Sequence, residues 1–246
     1  AIRQQLLVSL PMGSVWLLLI SGVVGIGLGD TAYFATVNAL GARQALLLEM
    51  LAPPMAAVMS LVFLQERLSV LAWLGMALTL VGIVWVVSER SPRTGVSQSK
   101  TGLARGISFG LVAALGQSIG SVLSRAALAD TVVDPLWSSL LRLSAGLICI
   151  GGLLLWRVKS QPLDYPAISG RLLGGVAIAA FFGTYLAIWL QQIALKYSPA
   201  GIAQSLLATS PIMVLPMALV IGERVTVRAV CGAIIALGGV WLLFSR

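Results

Sequence analysis

Three charged side chains stand inside long apolar segments, where a charge is costly to bury. Asp30 follows a glycine-rich run, Glu49 lies about two turns into the next apolar segment, and Arg142 is flanked by leucines in a later one. A charge at the centre of a membrane span costs about 2.5 to 3.5 kcal/mol, so such residues usually face a bundle interior or a wet cavity. Either acid could bind a substrate amine or a proton, and Arg142 could receive a carboxylate or phosphate. In the structural alternative, Arg142 neutralises an acid or a helix C-terminus and Glu49 lies near the interface.

A second candidate group is a stripe of polar and aromatic residues. Tyr185, Trp189, Gln192 and Lys196 are spaced by four, three and four, which places them on one face of a helix. This face could hold an apolar or cationic substrate, with Gln192 fixing its orientation. Ordinary packing, with Lys196 at the interface, is the alternative.

Other polar residues in apolar segments need partners away from lipid, either around a cavity or between helices. The full set of candidate substrate-binding residues is Asp30, Tyr33, Asn38, Glu49, Gln117, Arg142, Tyr185, Trp189, Gln192 and Gln204.

Helix-breaking prolines occur at matching places in the two halves of the chain. Pro53 and Pro54 interrupt one apolar segment and Pro211 interrupts its counterpart, and each releases backbone carbonyls about one turn upstream. Their duplication favours a role as a hinge or cavity wall over simple packing. Glu66 and Arg67 end the first of these segments, where capping or interfacial pairing is the first interpretation and gating the alternative.

These residues lie in a chain whose composition is that of a membrane protein. The 246 residues are 59% hydrophobic and 10% charged, more apolar than one soluble core can hide. Eight segments reach the length of a spanning helix. They are 14–39, 43–64, 69–88, 104–127, 136–156, 172–195, 200–221 and 226–244. The net charge of +8 is scattered through short loops, so it predicts topology and no nucleic-acid partner.

The chain contains an internal repeat. Residues 16–90 reappear, shifted by 157 positions, at 173–246, with identities at breakers, charges and glycines. Two segments, 104–127 and 136–156, precede the second copy without a counterpart in the first. We therefore expect a first unit over 1–90, a polar linker at 91–103 and a five-helix unit over 104–246. The first unit lacks two helices, which roughly 55 residues upstream would supply. An odd number of helices per unit predicts that the units are inverted, in an all-α bundle with eight spans of a complete ten.

Two copies of one motif carry a resemblance. Gly41-Ala42, Glu49, Pro53-Pro54, Glu66-Arg67, Gly75 and Gly82 are followed by Ala200-Gly201, Pro211, Glu223-Arg224, Gly232 and Gly239. This pattern resembles the EamA-type branch of the drug/metabolite transporter superfamily. The resemblance implies a ten-helix bundle with a central cavity, cytoplasmic termini, and export or exchange of small metabolites. Arg142 also resembles an arginine that the family often places in the second helix of a unit.

The two indications of membrane orientation disagree. Lys and Arg are more numerous on the side of the linker, which the positive-inside rule puts in the cytoplasm. The resemblance implies cytoplasmic termini, and these lie on the opposite side.

The sequence favours transport over catalysis. The chain has no histidine, which removes His-dependent nucleophilic, metal and haem chemistry for these residues. We predict a multi-pass transporter of the plasma or inner membrane, monomeric or homodimeric, that exports or exchanges small metabolites, amino acids or drug-like compounds by alternating access. It would need no cofactor or metal and would use protons or a counter-substrate in place of ATP. A membrane scaffold without transport activity is the alternative.

Overall fold

The computed structural model describes residues 11–87, 100–160, 170–210, 212 and 226–245. These residues form α-helices joined by short turns, with two π-helical segments. The elements are α1 (Met12–Ser21), π1 (Gly22–Asp30), α2 (Thr31–Leu40), α3 (Ala42–Glu49), α4 (Ala52–Phe63), α5 (Val70–Val87), α6 (Lys100–Leu128), α7 (Pro135–Ser160), α8 (Gly170–Ala180), π2 (Phe181–Leu186), α9 (Ala187–Tyr197), α10 (Ala200–Leu207) and α11 (Val227–Phe244).

The described helices are those of a membrane bundle. Five helical stretches are long and apolar enough to cross a bilayer, and two shorter apolar helices accompany them. Trp16, Trp85, Trp156 and Trp241 are exposed near helix ends. An amphipathic indole suits headgroup depth, so these positions agree with the predicted span boundaries.

Both units interrupt their helices at equivalent places. Gly22–Asp30, shifted by 157 positions, spans 179–187 and overlaps π2. The turn at residues 50–51 separates α3 from α4, and a turn at 208–209 ends α10 at nearly the equivalent point. The prolines explain the first interruption, because Pro53 and Pro54 have no N–H to bond to the preceding turn. The π segments keep their helices continuous but shift the residues that follow onto a different face.

A seam of glycines joins α5 to α11, the equivalent helices of the two units. A Cβ on Gly75 would lie 2.8 Å from the carbonyl oxygen of Gly239, and one on Gly82 would lie 2.6 Å from that of Gly232. Between them, Thr79 Oγ1 donates to the carbonyl of Ala236 at 3.4 Å, a pair separated by 157 positions. Gly75 therefore meets the counterpart of Gly82, Gly82 meets the counterpart of Gly75, and Thr79 between them meets its own counterpart. This crossed order shows that α5 and α11 are antiparallel. Because equivalent helices are antiparallel, the axis relating them lies in the membrane plane, which confirms the inverted repeat.

Helix α6 is the centre of the described bundle, and half of its apolar window is buried. Gly116 and Gly120 press against the backbone of π1 at Gly29 and Gly25, and Ser124 Oγ donates to Ser21 Oγ at 3.1 Å. The glycines let the two backbones approach closely. The glycines of both helices therefore serve the packing of α6 on the first unit.

The structure differs from the sequence-based boundaries at the start of α6. The helix begins at Lys100, so the last residues of the predicted linker, 100–103, are helical. The apolar pattern marks only the part of a helix inside the hydrocarbon layer, whereas the helix itself continues into the headgroup region. The rest of the linker, the proposed hinge residue Pro211 and the pair Glu223-Arg224 lie outside the described residues.

Candidate functional site

A cavity of about 230 Å³ lies where the two interrupted helices meet. Residues on both sides of each interruption line it: Glu49 and Pro53 from the first unit, and Leu207 and Ser210 from the second. The α6 helix and the start of α9 supply the remaining walls. The full lining of described residues is Leu46, Glu49, Met50, Ala52, Pro53, Gln117, Ala187, Ile188, Gln191, Gln204, Leu207, Ala208 and Ser210.

Glu49 is the only charged residue among the described lining. Its Oε2 atom is buried and has no hydrogen-bond partner. A buried charged oxygen without a partner is costly, because nothing replaces the hydrogen bonds that water would provide. The carboxyl group of this lining residue therefore has an acceptor that no described group fills.

Three glutamines share the cavity with Glu49. Gln204 donates through Nε2 to Ser121 Oγ, which holds the amide in place and leaves its Oε1 free to accept. Gln191 is buried and Gln117 is half-buried. The amides provide acceptors and donors without adding charge.

The proline pair adds backbone acceptors at the same level. Pro53 and Pro54 cannot donate to the carbonyls four residues upstream, which are those of Glu49 and Met50. The Ala52 carbonyl is satisfied from another helix, because Ser118 Oγ donates to it at 3.0 Å. The interruption thus deprives the Glu49 and Met50 carbonyls of the N–H donor that an uninterrupted helix would supply.

Arg142 and Asp30 form a second polar group behind the cavity. Arg142 is 1% exposed, its backbone packs against Gly22, and Nη2 lies 3.1 Å from the position of a Cβ on Gly25. Nε and Nη1 have no hydrogen-bond partner. Asp30, at the end of π1, carries the charge that acts on Arg142, although the two side chains form no direct ion pair. Neither residue is among the described residues that line the cavity, but the charge of Asp30 also acts on Glu49, so this second polar group lies near the first.

The polar stripe of the second unit turns toward α7. Gln192 accepts from Ser138 Oγ at 2.8 Å, and Lys196 Nζ donates to the Val133 carbonyl at 2.6 Å. Tyr185 lies in π2 and stacks on Phe181, with ring centroids 5.7 Å apart. Such contacts are expected if the stripe serves ordinary helix packing, the alternative to a substrate-binding face. Trp189 and Tyr33 are half-buried, and Asn38 is exposed. The ring of Tyr33 packs edge-on against Phe34. None of the three residues Trp189, Tyr33 and Asn38 lines the cavity.

Gln191 is a cavity residue that the sequence pattern does not predict, although it lies next to the predicted Gln192. Adjacent residues of an α-helix point about 100° apart, so α9 presents Gln192 to Ser138 and Gln191 to the cavity. In the first unit, the glycine run of residues 22–29 lies in π1, but a glycine run in a sequence predicts close helix packing as well as a π segment.

An ion-pair cluster joins the two units at one end of the bundle. Arg125 Nε lies 2.5 Å from Glu66 Oε1, and Nη1 donates to the carbonyls of Leu195 and Lys196 at 3.0 and 2.6 Å. The backbone N–H of Ala200 donates to Glu66 Oε2 at 3.3 Å. This Glu66–Arg125 cluster ties the end of α4 to α6 and to the turn between α9 and α10. Interfacial pairing of Glu66 is predicted from the sequence, but Arg125 is not predicted as its partner.

Among the described residues, no group of His, Cys, Asp and Glu side chains is placed to hold a metal ion. The cavity instead presents one carboxylate, three amides and backbone carbonyls in an apolar wall. Such a lining can bind and orient a small polar molecule.

Comparison with known proteins agrees with this architecture. The model of the EamA-like transporter family matches residues 2–88 and 104–245, the two units of the repeat. A solved crystal structure is similar with a TM-score of 0.72 over 93% of this chain and 75% of the other, at 18% sequence identity. That likeness concerns the fold alone. No match was found among curated protein sequences. Since the family model covers nearly the whole chain, in two copies that coincide with the inverted units, the protein belongs to the EamA-like transporter family.

Proposed function

We propose that this protein is a secondary active transporter that exports or exchanges small metabolites across the plasma or inner membrane by alternating access. The observation that carries the proposal is the polar cavity where the interrupted helices of two inverted units meet. Interrupted helices at the midplane, contributed by inverted repeats, are the usual construction of substrate sites in secondary transporters. Protons or a counter-substrate supply the energy, and no cofactor takes part.

The inverted architecture suggests how access alternates. The Glu66–Arg125 cluster holds one end of the bundle closed by joining elements of both units. Rocking of the units about the glycine seam of α5 and α11 breaks this cluster and opens that end while the other closes. Because the units are related by an axis in the membrane plane, the two end states resemble each other turned upside down.

Cysteine accessibility tests this mechanism without knowledge of the substrate. The intact protein is first stripped of its two free thiols, Cys149 and Cys231. A single cysteine then replaces the cavity residue Ala208, and the protein is reconstituted in liposomes in known orientation. We expect a membrane-impermeant thiol reagent to label this cysteine from either side, and Glu66→Gln to increase labelling from the side of the cluster.

A cysteine at Gly183 serves as the control, because that position lies in a described helix and does not line the cavity. It should not show the response to Glu66→Gln. Labelling of the cavity cysteine from one side only, unchanged by Glu66→Gln, would contradict alternating access and favour a static scaffold.

A further inference from the structure

The cavity has the chemistry of a site for a cation. We propose that its substrate is a small organic amine that enters as a monocation and places its ammonium group against Glu49. This inference rests on the proposed transport function and names the chemical class of the substrate.

The charge of the described lining supports one positive group. Glu49 contributes a carboxyl group with an unpartnered buried oxygen, and no Lys or Arg lines the described part of the cavity. The nearest buried cation, Arg142, is packed against π1 and outside the lining. A net anion would meet Glu49 without a compensating charge, whereas an ammonium would remove the cost of leaving that oxygen unpaired.

The hydrogen-bonding groups also match an ammonium, which has donors and no acceptor. The Glu49 carboxyl oxygen and the carbonyls released above Pro53 and Pro54 are all acceptors. Gln204 uses one of its two amide N–H groups on Ser121, and its oxygen is a further acceptor. A carboxylate on the ligand would find only neutral donors in the described lining, the glutamine amides and the Ser210 hydroxyl, and no cationic side chain.

The size and the apolar walls restrict the rest of the molecule. A volume of about 230 Å³ lies below the roughly 300 to 1,000 Å³ of pockets for drug-sized ligands. Leu46, Met50, Ile188 and Leu207 surround the polar groups with aliphatic side chains. The site therefore suits a short aliphatic amine rather than a polyvalent cation or a large drug.

Three ligands that share a four-carbon isobutyl unit test the proposal. Isobutylamine, valine and isovalerate carry an ammonium, a zwitterion and a carboxylate on similar aliphatic bodies. Binding is measured by calorimetry on the intact protein in nanodiscs, and counterflow of each labelled ligand is measured in liposomes. We expect isobutylamine to bind at least about tenfold more tightly than valine, and isovalerate not to compete with it.

Substitutions at Glu49 assign the effect to the carboxyl group. Glu49→Gln should weaken isobutylamine binding by about tenfold to a hundredfold, as loss of a charge-assisted hydrogen bond implies. Glu49→Asp keeps the charge and should retain more of the binding than Glu49→Gln. The matched control is Asp130→Asn, which removes an acidic charge from an exposed turn outside the cavity and should change nothing.

The outcomes separate this inference from the transport function. Transport of valine or isovalerate without isobutylamine would overturn the amine assignment and leave the transporter intact. Binding of isobutylamine that is unaffected by Glu49→Gln in folded protein would also overturn it, as would no binding of any of the three. Failure of the cavity-cysteine experiment would instead remove the transport function.

Discussion

The antiparallel seam between α5 and α11 can be tested with two adjacent glycines. A Cβ on Gly239 would press on the backbone N of Thr79 and lie 2.7 Å from the carbonyl oxygen of Gly75, where ordinary contact begins at 3.4 Å. Gly239→Ala must therefore separate the helices by at least about 0.7 Å. A gap of that size forfeits a quarter to a half of each contact's dispersion energy, and overpacking costs about 1 to 3 kcal/mol. We expect thermal unfolding in detergent to occur roughly 2 to 4 °C lower for each kcal/mol lost.

Gly238 provides the matched control one residue away. No atom lies within 4 Å of the position that a Cβ would take there, so Gly238→Ala meets open space and gains up to about 1 kcal/mol of helix propensity. It should leave the unfolding temperature unchanged or raise it. Gly82→Ala, at the other end of the seam, should repeat the loss seen at Gly239, because its Cβ would lie 2.6 Å from the Gly232 carbonyl oxygen. Equal unfolding temperatures for Gly238→Ala and Gly239→Ala would refute the seam and the inverted arrangement derived from it.

Two further predictions concern the polar groups around the cavity. Arg142→Met leaves the half-buried Asp30 without its neighbouring positive charge and should destabilise the protein by about 3 kcal/mol, while adding Asp30→Asn should restore most of that loss. A double-mutant cycle of unfolding free energies measures this coupling, and additive losses would contradict it. Gln191→Met should reduce transport at least about tenfold, because it removes a polar group of the cavity. Gln192→Met should change transport by no more than about twofold, because Gln192 bonds to Ser138 outside the cavity. Counterflow in liposomes compares the two variants, and equal losses would show that the cavity wall has been assigned to the wrong helix face.

Much of the site can be anticipated from individual residues. Glu49, Gln117 and Gln204 are candidates because a polar group inside an apolar span needs a partner or a cavity, and all three line the cavity. Pro53 is expected in a cavity wall because proline releases carbonyls, and it also lines the cavity. The same reasoning cannot separate these residues from Asp30, Arg142 or Gln192. Each is equally polar in sequence, and only the neighbouring helices determine whether it faces the hollow or another helix.

The sequence by itself determined where helices form, that Pro53 and Pro54 interrupt one of them and that the unit is written twice, because apolar length and proline act within a few residues along the chain. An odd number of helices per unit was enough to predict inversion. Only the tertiary structure decided that Gly75 meets Gly239, that Glu66 pairs with Arg125 and that α9 presents Gln191 to the cavity. These outcomes depend on distances between residues far apart in the chain and on the rotation of whole helices, and a pattern along the sequence carries neither.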